Sequence, residues 1–232
     1  QHQDYSQALQ AYLLLAPEDY AQAQTMLGIM YLNGQGTDKD LPSAIKWLSS
    51  AAKAGNAQAQ YQLSKLYSAG TGVIRDDNHA FTLMQQSAKQ NYDKAQHALG
   101  MMYYNNLGTD KDSAQVYSLL LPFAQAEKNP DVLAQYIVGM ALLNGDGATQ
   151  DQQQGVSLLE KAAQAGNVDA QVQLGQLYYE GNIVDKNLYA AADWFQKAAD
   201  QDNVKAQYYL GMMYYNGEGI EKDLTKSAAL LE

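Results

Sequence analysis

Cysteine is absent from this 232-residue chain, and histidine (3), tryptophan (2), phenylalanine (3) and proline (4) are scarce. Without cysteine there is no disulfide, no thiolate metal site and no cysteine nucleophile. His2, His79 and His97 stand at unrelated positions, which suits ordinary polar surface better than a catalytic constellation. Four dispersed prolines argue against a long flexible linker. No stretch approaches the roughly 18 to 20 uninterrupted apolar residues of a spanning helix, so membrane insertion is not expected. Lysine and arginine total 15 against 25 acidic residues, a formal charge of −10. A phosphate backbone is bound through clustered basic side chains, so nucleic acid is excluded as a partner, and so is an anionic membrane surface. Gly-x-Ser-x-Gly, Walker and His-Glu-x-x-His motifs are all missing. The chain reads as non-enzymatic, with no cofactor and no metal.

What is abundant is tyrosine, 18 residues, and it is not evenly spread. AQYYLGMMYYNGEG at 206–219 holds four tyrosines and two methionines, and the same pattern recurs. Its copies are AQTMLGIMYLNGQG at 23, AQYQLSKLYSAGTG at 59, AQHALGMMYYNNLG at 95, AQYIVGMALLNGDG at 134 and AQVQLGQLYYEGNI at 170. The starts at 23, 59, 95, 134, 170 and 206 are separated by 36, 36, 39, 36 and 36 residues. After each copy comes a loop, acidic in TDKD at 37 and at 109, and then a second apolar segment such as SAIKWLSSAAKAG at 43. Ala44, Trp47, Leu48, Ala51 and Ala52 fall at helical spacing, as do Ala191, Trp194, Phe195, Ala198 and Ala199. Gly34 and Gly36 stop the first helix, and Asp40 before Leu41-Pro42 caps the second. Each unit is therefore a helix hairpin, an A helix followed by a B helix, and hairpins of this kind bury their apolar faces by stacking.

Ala8 precedes Ala44 by 36 residues, so residues 1–22 hold the B helix of a preceding unit, and the last unit stops within its own B helix. A chain starting at Gln1 reads as a processed or trimmed product of something longer. The longer third spacing predicts a loop insertion at 127–130 that bends the array.

The pattern Ala-x-x-x-Leu-Gly-x-x-Tyr-x-x-Gly-x-Gly, then Asp, then Ala-x-x-Trp-x-x-x-Ala-Ala-x-x-Gly resembles the Sel1-like repeats, relatives of the tetratricopeptide repeats. It is clearest at 23–55 and 170–199 and runs along nearly the whole chain. Ser64 and Asn106 stand where the pattern has Gly, Leu142 where it has Tyr, and Gly155 where it has Ala. The resemblance implies an all-α, right-handed superhelical solenoid over 1–232 that serves as a protein-binding scaffold. It further implies a bacterial protein, periplasmic or secreted rather than cytoplasmic. An immunity protein for a secreted toxin, an envelope assembly factor and a factor contacting host proteins all fit.

Numbering the A helix so that Ala23 is position 3, the core arc holds positions 3, 7, 10 and 11. Position 8 is Gly or Ser, small enough for close helix approach. Positions 5, 9 and 12 lie opposite and vary between units while staying apolar or aromatic. They include Tyr61, His97, Met101, Tyr104, Tyr136, Met140, Tyr179, Tyr208, Met212 and Tyr215, a row that the resemblance places on the concave groove. Exposed aromatic and Met patches mark binding surfaces. The competing account has the same side chains packing between repeats. Asn105, Asn144 and Asn216, one residue past position 12, join the candidate site and keep open a glycan that stacks on the tyrosines. The recurrent Gln at position 4 is expected to hydrogen-bond between hairpins.

Overall fold

The computed structural model describes the backbone of residues 2–18 and 20–231 and the side chains of 5–17 and 20–231; the His2 side chain lies outside them. The described residues form thirteen α-helices and no strand. In order these are α1 (His2–Leu15), α2 (Ala21–Asn33), α3 (Leu41–Lys53), α4 (Ala57–Ala69), α5 (Asp77–Ala88), α6 (Asp93–Tyr104) and α7 (Ser113–Ala124). There follow α8 (Val132–Asn144), α9 (Gln152–Gln164), α10 (Val168–Glu180), α11 (Leu188–Ala199), α12 (Val204–Asn216) and α13 (Leu224–Leu231). The chain is an all-α helical repeat. It divides into two compact units, Gln1–Leu119 and Leu120–Glu232, with the division inside α7.

The repeat motif dictates each hairpin. Position 3 is Ala in every copy and is fully buried, because the crossing helix leaves room for one methyl. Position 7 is Leu or Val and position 10 is Met, Leu or Ala, all buried. Position 8 needs a residue without bulk. A Cβ on Gly28 would stand 2.5 Å from Leu48 Cγ, and one on Gly175 2.5 Å from Phe195 Cε1. Ser64, the departure from Gly at this position, is buried and uses its hydroxyl to donate to the Ala80 carbonyl at 2.6 Å. Gly155 faces Gly139 across α8 and α9, and a Cβ there would meet the Gly139 carbonyl oxygen at 2.9 Å. The missing methyl of the B helix is thus traded for a closer approach of the two backbones.

Loops are fixed by caps. Asp40, Asp76, Asp112 and Asp151 accept from the backbone N–H three residues on, at 2.9 to 3.1 Å, at the start of a B helix. Asn56, Asn167 and Asn203 do the same for A helices at 2.8 to 3.0 Å. Gly34, Gly70, Gly145, Gly181 and Gly217 end A helices in the left-handed region. The insertion lies in the B-to-A connection: residues 125–131 link α7 to α8, where 54–56 suffice between α3 and α4.

In three of the six copies the Gln at position 4 reaches back to the end of the preceding B helix, while Gln96 donates to the Asn91 side chain. Gln24, Gln60 and Gln171 donate to the carbonyls of Ala16, Ala52 and Ala163 at 3.0 to 3.2 Å, all buried. The Ala52 and Ala163 carbonyls also accept from the N–H of Gly55 and Gly166, so the glutamine amide takes the second lone pair of a helix-end carbonyl. Gln90 and Gln201 then donate to the side-chain oxygens of Gln60 and Gln171 at 2.8 and 2.9 Å. Successive hairpins are therefore joined by a polar clasp as well as by apolar packing.

Candidate partner-binding face

Positions 5, 9 and 12 sit where one A helix meets the next. On α2, Ile29 and Leu32 pack on the cluster formed by Leu48 of their own hairpin and Ala59 and Leu63 of the following one. On α4, Tyr61 is half-buried, edge-on to Tyr92 at 5.4 Å, with Lys65 Nζ 5.5 Å from its ring. On α8, Tyr136 and Met140 pack on the cluster of Leu159, Ala170 and Leu174. Thr25, Val172 and Leu143 at these positions are buried outright. The set is therefore largely an interface between hairpins, for a physical reason: parallel A helices in a stack press their flanks together.

What the next helix does not cover is more restricted. In the first unit, Tyr104 is 36% exposed, beside half-buried His97 and Met101. In the second unit, Tyr208 and Tyr215 on α12 are 55% and 53% exposed, with half-buried Met212 between them. Asn105, Asn144 and Asn216 are exposed. The Asn105 amide is spent on its own helix, donating to the Met101 carbonyl at 2.9 Å.

Tyr209, on the flank of the pattern, is the hub of the α12 face. Its ring stacks on buried Phe195 at 4.9 Å and 6°, and lies 6.2 Å from Tyr179 and 5.8 Å from Tyr208. Gln176 Nε2 donates to its hydroxyl at 3.0 Å, and Lys205 Nζ donates to Gln176 Oε1 at 3.0 Å. The Tyr179 hydroxyl donates to Glu218 at 2.9 Å, and this bond to a carboxylate holds the phenol above its ordinary pKa. Lys186 and Lys222 stand 5.7 and 5.4 Å from the rings of Tyr179 and Tyr215, one equivalent pair per repeat. A Lys seven residues after each position-12 Tyr is the signal in the sequence that points to these pairs. The resulting surface is rigid aromatic area edged by cations and amides. Such a surface suits non-covalent association.

One family model, the Sel1 repeat, matches residues 21–56, 57–92, 93–115, 132–167, 168–203 and 204–232. Residues 116–131 between two of these segments contain the insertion. Among solved structures, the chain is similar to c5321 of uropathogenic Escherichia coli, described as a protective antigen with an SLR fold. The two share 33% identity at a TM-score of 0.73, over 96% of this chain and 47% of that one. It is also similar to a Sel1 repeat protein from Oxalobacter formigenes, at 33% identity and a TM-score of 0.63, over 90% of this chain and 60% of that one. The chain thus spans about half of the first relative and three fifths of the second. No protein of curated function matches it. With six motif copies matched over most of its length, the chain belongs to the Sel1 repeat family, whose members generally mediate protein–protein interaction.

Proposed function

We propose that this chain is a non-enzymatic scaffold that binds a partner protein through the uncovered position-5, -9 and -12 side chains of its A helices. The observation that carries the reading is the chemistry of the α12 face, where Tyr208 and Tyr215 flank Met212 on the side that interior A helices use to receive another helix. Solvent alone favours Lys or Glu at such sites, and an aromatic patch held rigid by stacking loses little entropy on binding. The interior repeats indicate the chemistry this face accepts. On α10 the same side meets the apolar flank of another helix, through Tyr209 on Tyr179. A partner's amphipathic helix is thus the expected occupant, and the role is that of an adaptor, an assembly factor or an inhibitor. The proposed location is a bacterial periplasm or the secreted fraction, as the family resemblance implies.

Photo-crosslinking tests the reading. A photoreactive side chain at 208 or 215 is expected to capture a protein, and one at exposed Lys161 on α9 is not. Capture equal at all three positions, or capture abolished by competing oligosaccharide, contradicts it.

A further inference from the structure

The B helices carry a second feature, independent of the A-helix face. One position of the B helix packs where the preceding B helix meets its own A helix, and it is occupied by Trp47 in α3, Leu83 in α5 and Trp194 in α11. Trp47 covers the cluster of Leu9, Ala16, Ala23 and Leu27, and Trp194 covers that of Leu159, Ala163, Ala170 and Leu174. Leu83 covers the equivalent cluster of Leu48, Ala52, Ala59 and Leu63 with a much smaller side chain. Beside it a groove of about 580 Å³ lies open between α3 and α5. Its floor is Leu63, Leu83 and Tyr67, and its walls are lined by small side chains, Ser49, Ser50 and Thr82. Leu119, Leu158 and Leu230 also stand at the Trp position, but the B helices before them carry Gln85 and Gln86, Leu121 and Pro122, and Gln196 and Lys197 where α3 has Ser49 and Ser50. Leu83 therefore combines a lost indole with a wall of small residues.

We propose that this groove receives a tryptophan side chain from a partner polypeptide, which takes the place that the protein's own indoles fill in two other repeats. The volume lies within the range of roughly 300 to 1,000 Å³ typical of ligand sites, and a few polar groups converge on an otherwise apolar floor. The indole N–H needs an acceptor when buried, and the Ser49 and Ser50 hydroxyls and the Gln86 amide are in the lining. Lys53, also in the lining, supplies a cation for the ring face. The protein already uses that contact on its internal indoles, with Lys197 Nζ 4.1 Å from the Trp194 ring and Lys46 Nζ 5.3 Å from that of Trp47.

The probe is N-acetyl-tryptophanamide, titrated into the ¹⁵N-labelled chain and followed by amide chemical shifts. Saturable shifts are expected at Ser49, Lys53, Thr82 and Gln86, with none from N-acetyl-leucinamide at equal concentration. Leu83→Trp fills the groove with the chain's own indole and is expected to weaken the probe about tenfold or more while the remaining spectrum is unchanged. Should that variant fail to fold, Thr82→Trp on the exposed rim covers the groove from outside and is expected to give the same loss. Shifts that do not saturate, or that survive both a folded Leu83→Trp and Thr82→Trp, overturn the assignment. A wild-type response to the probe in a chain carrying Tyr208→Ala and Tyr215→Ala keeps this test separate from that of the A-helix face.

Discussion

At the scale of single residues, the repeat motif is read most directly in its smallest members. Gly175 is small because the Phe195 ring lies against it, fully buried, and stacks in turn on Tyr209. Gly175→Ala pushes a methyl into that ring and is expected to cost about 1–3 kcal/mol by over-packing, measured by urea denaturation. Tyr179 gives a pH test. Its bond to Glu218 raises the phenol pKa in the folded state, so the protonated form is favoured by folding. The stability it contributes is complete below the ordinary tyrosine pKa and disappears as pH rises through the raised value. The difference in melting temperature between the wild type and Tyr179→Phe is therefore expected to be constant near neutrality and to close above about pH 10. The Ala, Leu and Gly positions of the core were legible from periodicity, since every copy repeats them. The hub role of Tyr209 was not, because position 6 holds Met26, Gln62, Ala98, Ile137 and Gln173 in the other copies, and only contact with Phe195 and Tyr179 singles it out.

At the scale of helices, most A-helix boundaries follow from local chemistry: an Asp or Asn cap at the start of four of the six and a left-handed Gly at the end of five. Asn203→Ala removes the acceptor for Ala206 N–H and is expected to cost about 1 kcal/mol, seen in thermal unfolding. The position-4 glutamines act on buried carbonyls. Gln171→Leu removes one of the two donors to the Ala163 carbonyl, which keeps Gly166 N–H, and is expected to cost about 0.5–1.5 kcal/mol in chemical denaturation, with faster amide exchange where α9 meets α10. Recurrence in the sequence indicates a hydrogen bond for these residues, and the structure identifies the acceptor as the last turn of the previous B helix. The faces were harder to read than the boundaries. A helical wheel sees one helix, so positions 5, 9 and 12 read as facing away from the core. In a stack that side is where the next A helix lies, which is why Val172 and Leu143 are buried and Tyr61 and Tyr136 half-covered.

At the scale of the molecule, identical solutions repeated along the chain explain why the Sel1 fold was legible from one sequence: any single degenerate copy is corrected by the others. A partner is legible only in side-chain chemistry: α12 is the last A helix of the described residues, and it presents Tyr208 and Tyr215 on the side that interior A helices turn to another helix. The measurement that tests the central claim most directly is the affinity of the crosslinked partner, purified, for the wild type and for a Tyr208→Ala and Tyr215→Ala double variant by titration calorimetry. The account predicts at least about a tenfold loss of affinity from truncating two exposed aromatic anchors, with an unchanged melting temperature. Wild-type affinity in a double variant of lowered melting temperature would show that these tyrosines hold the repeats together and bind nothing.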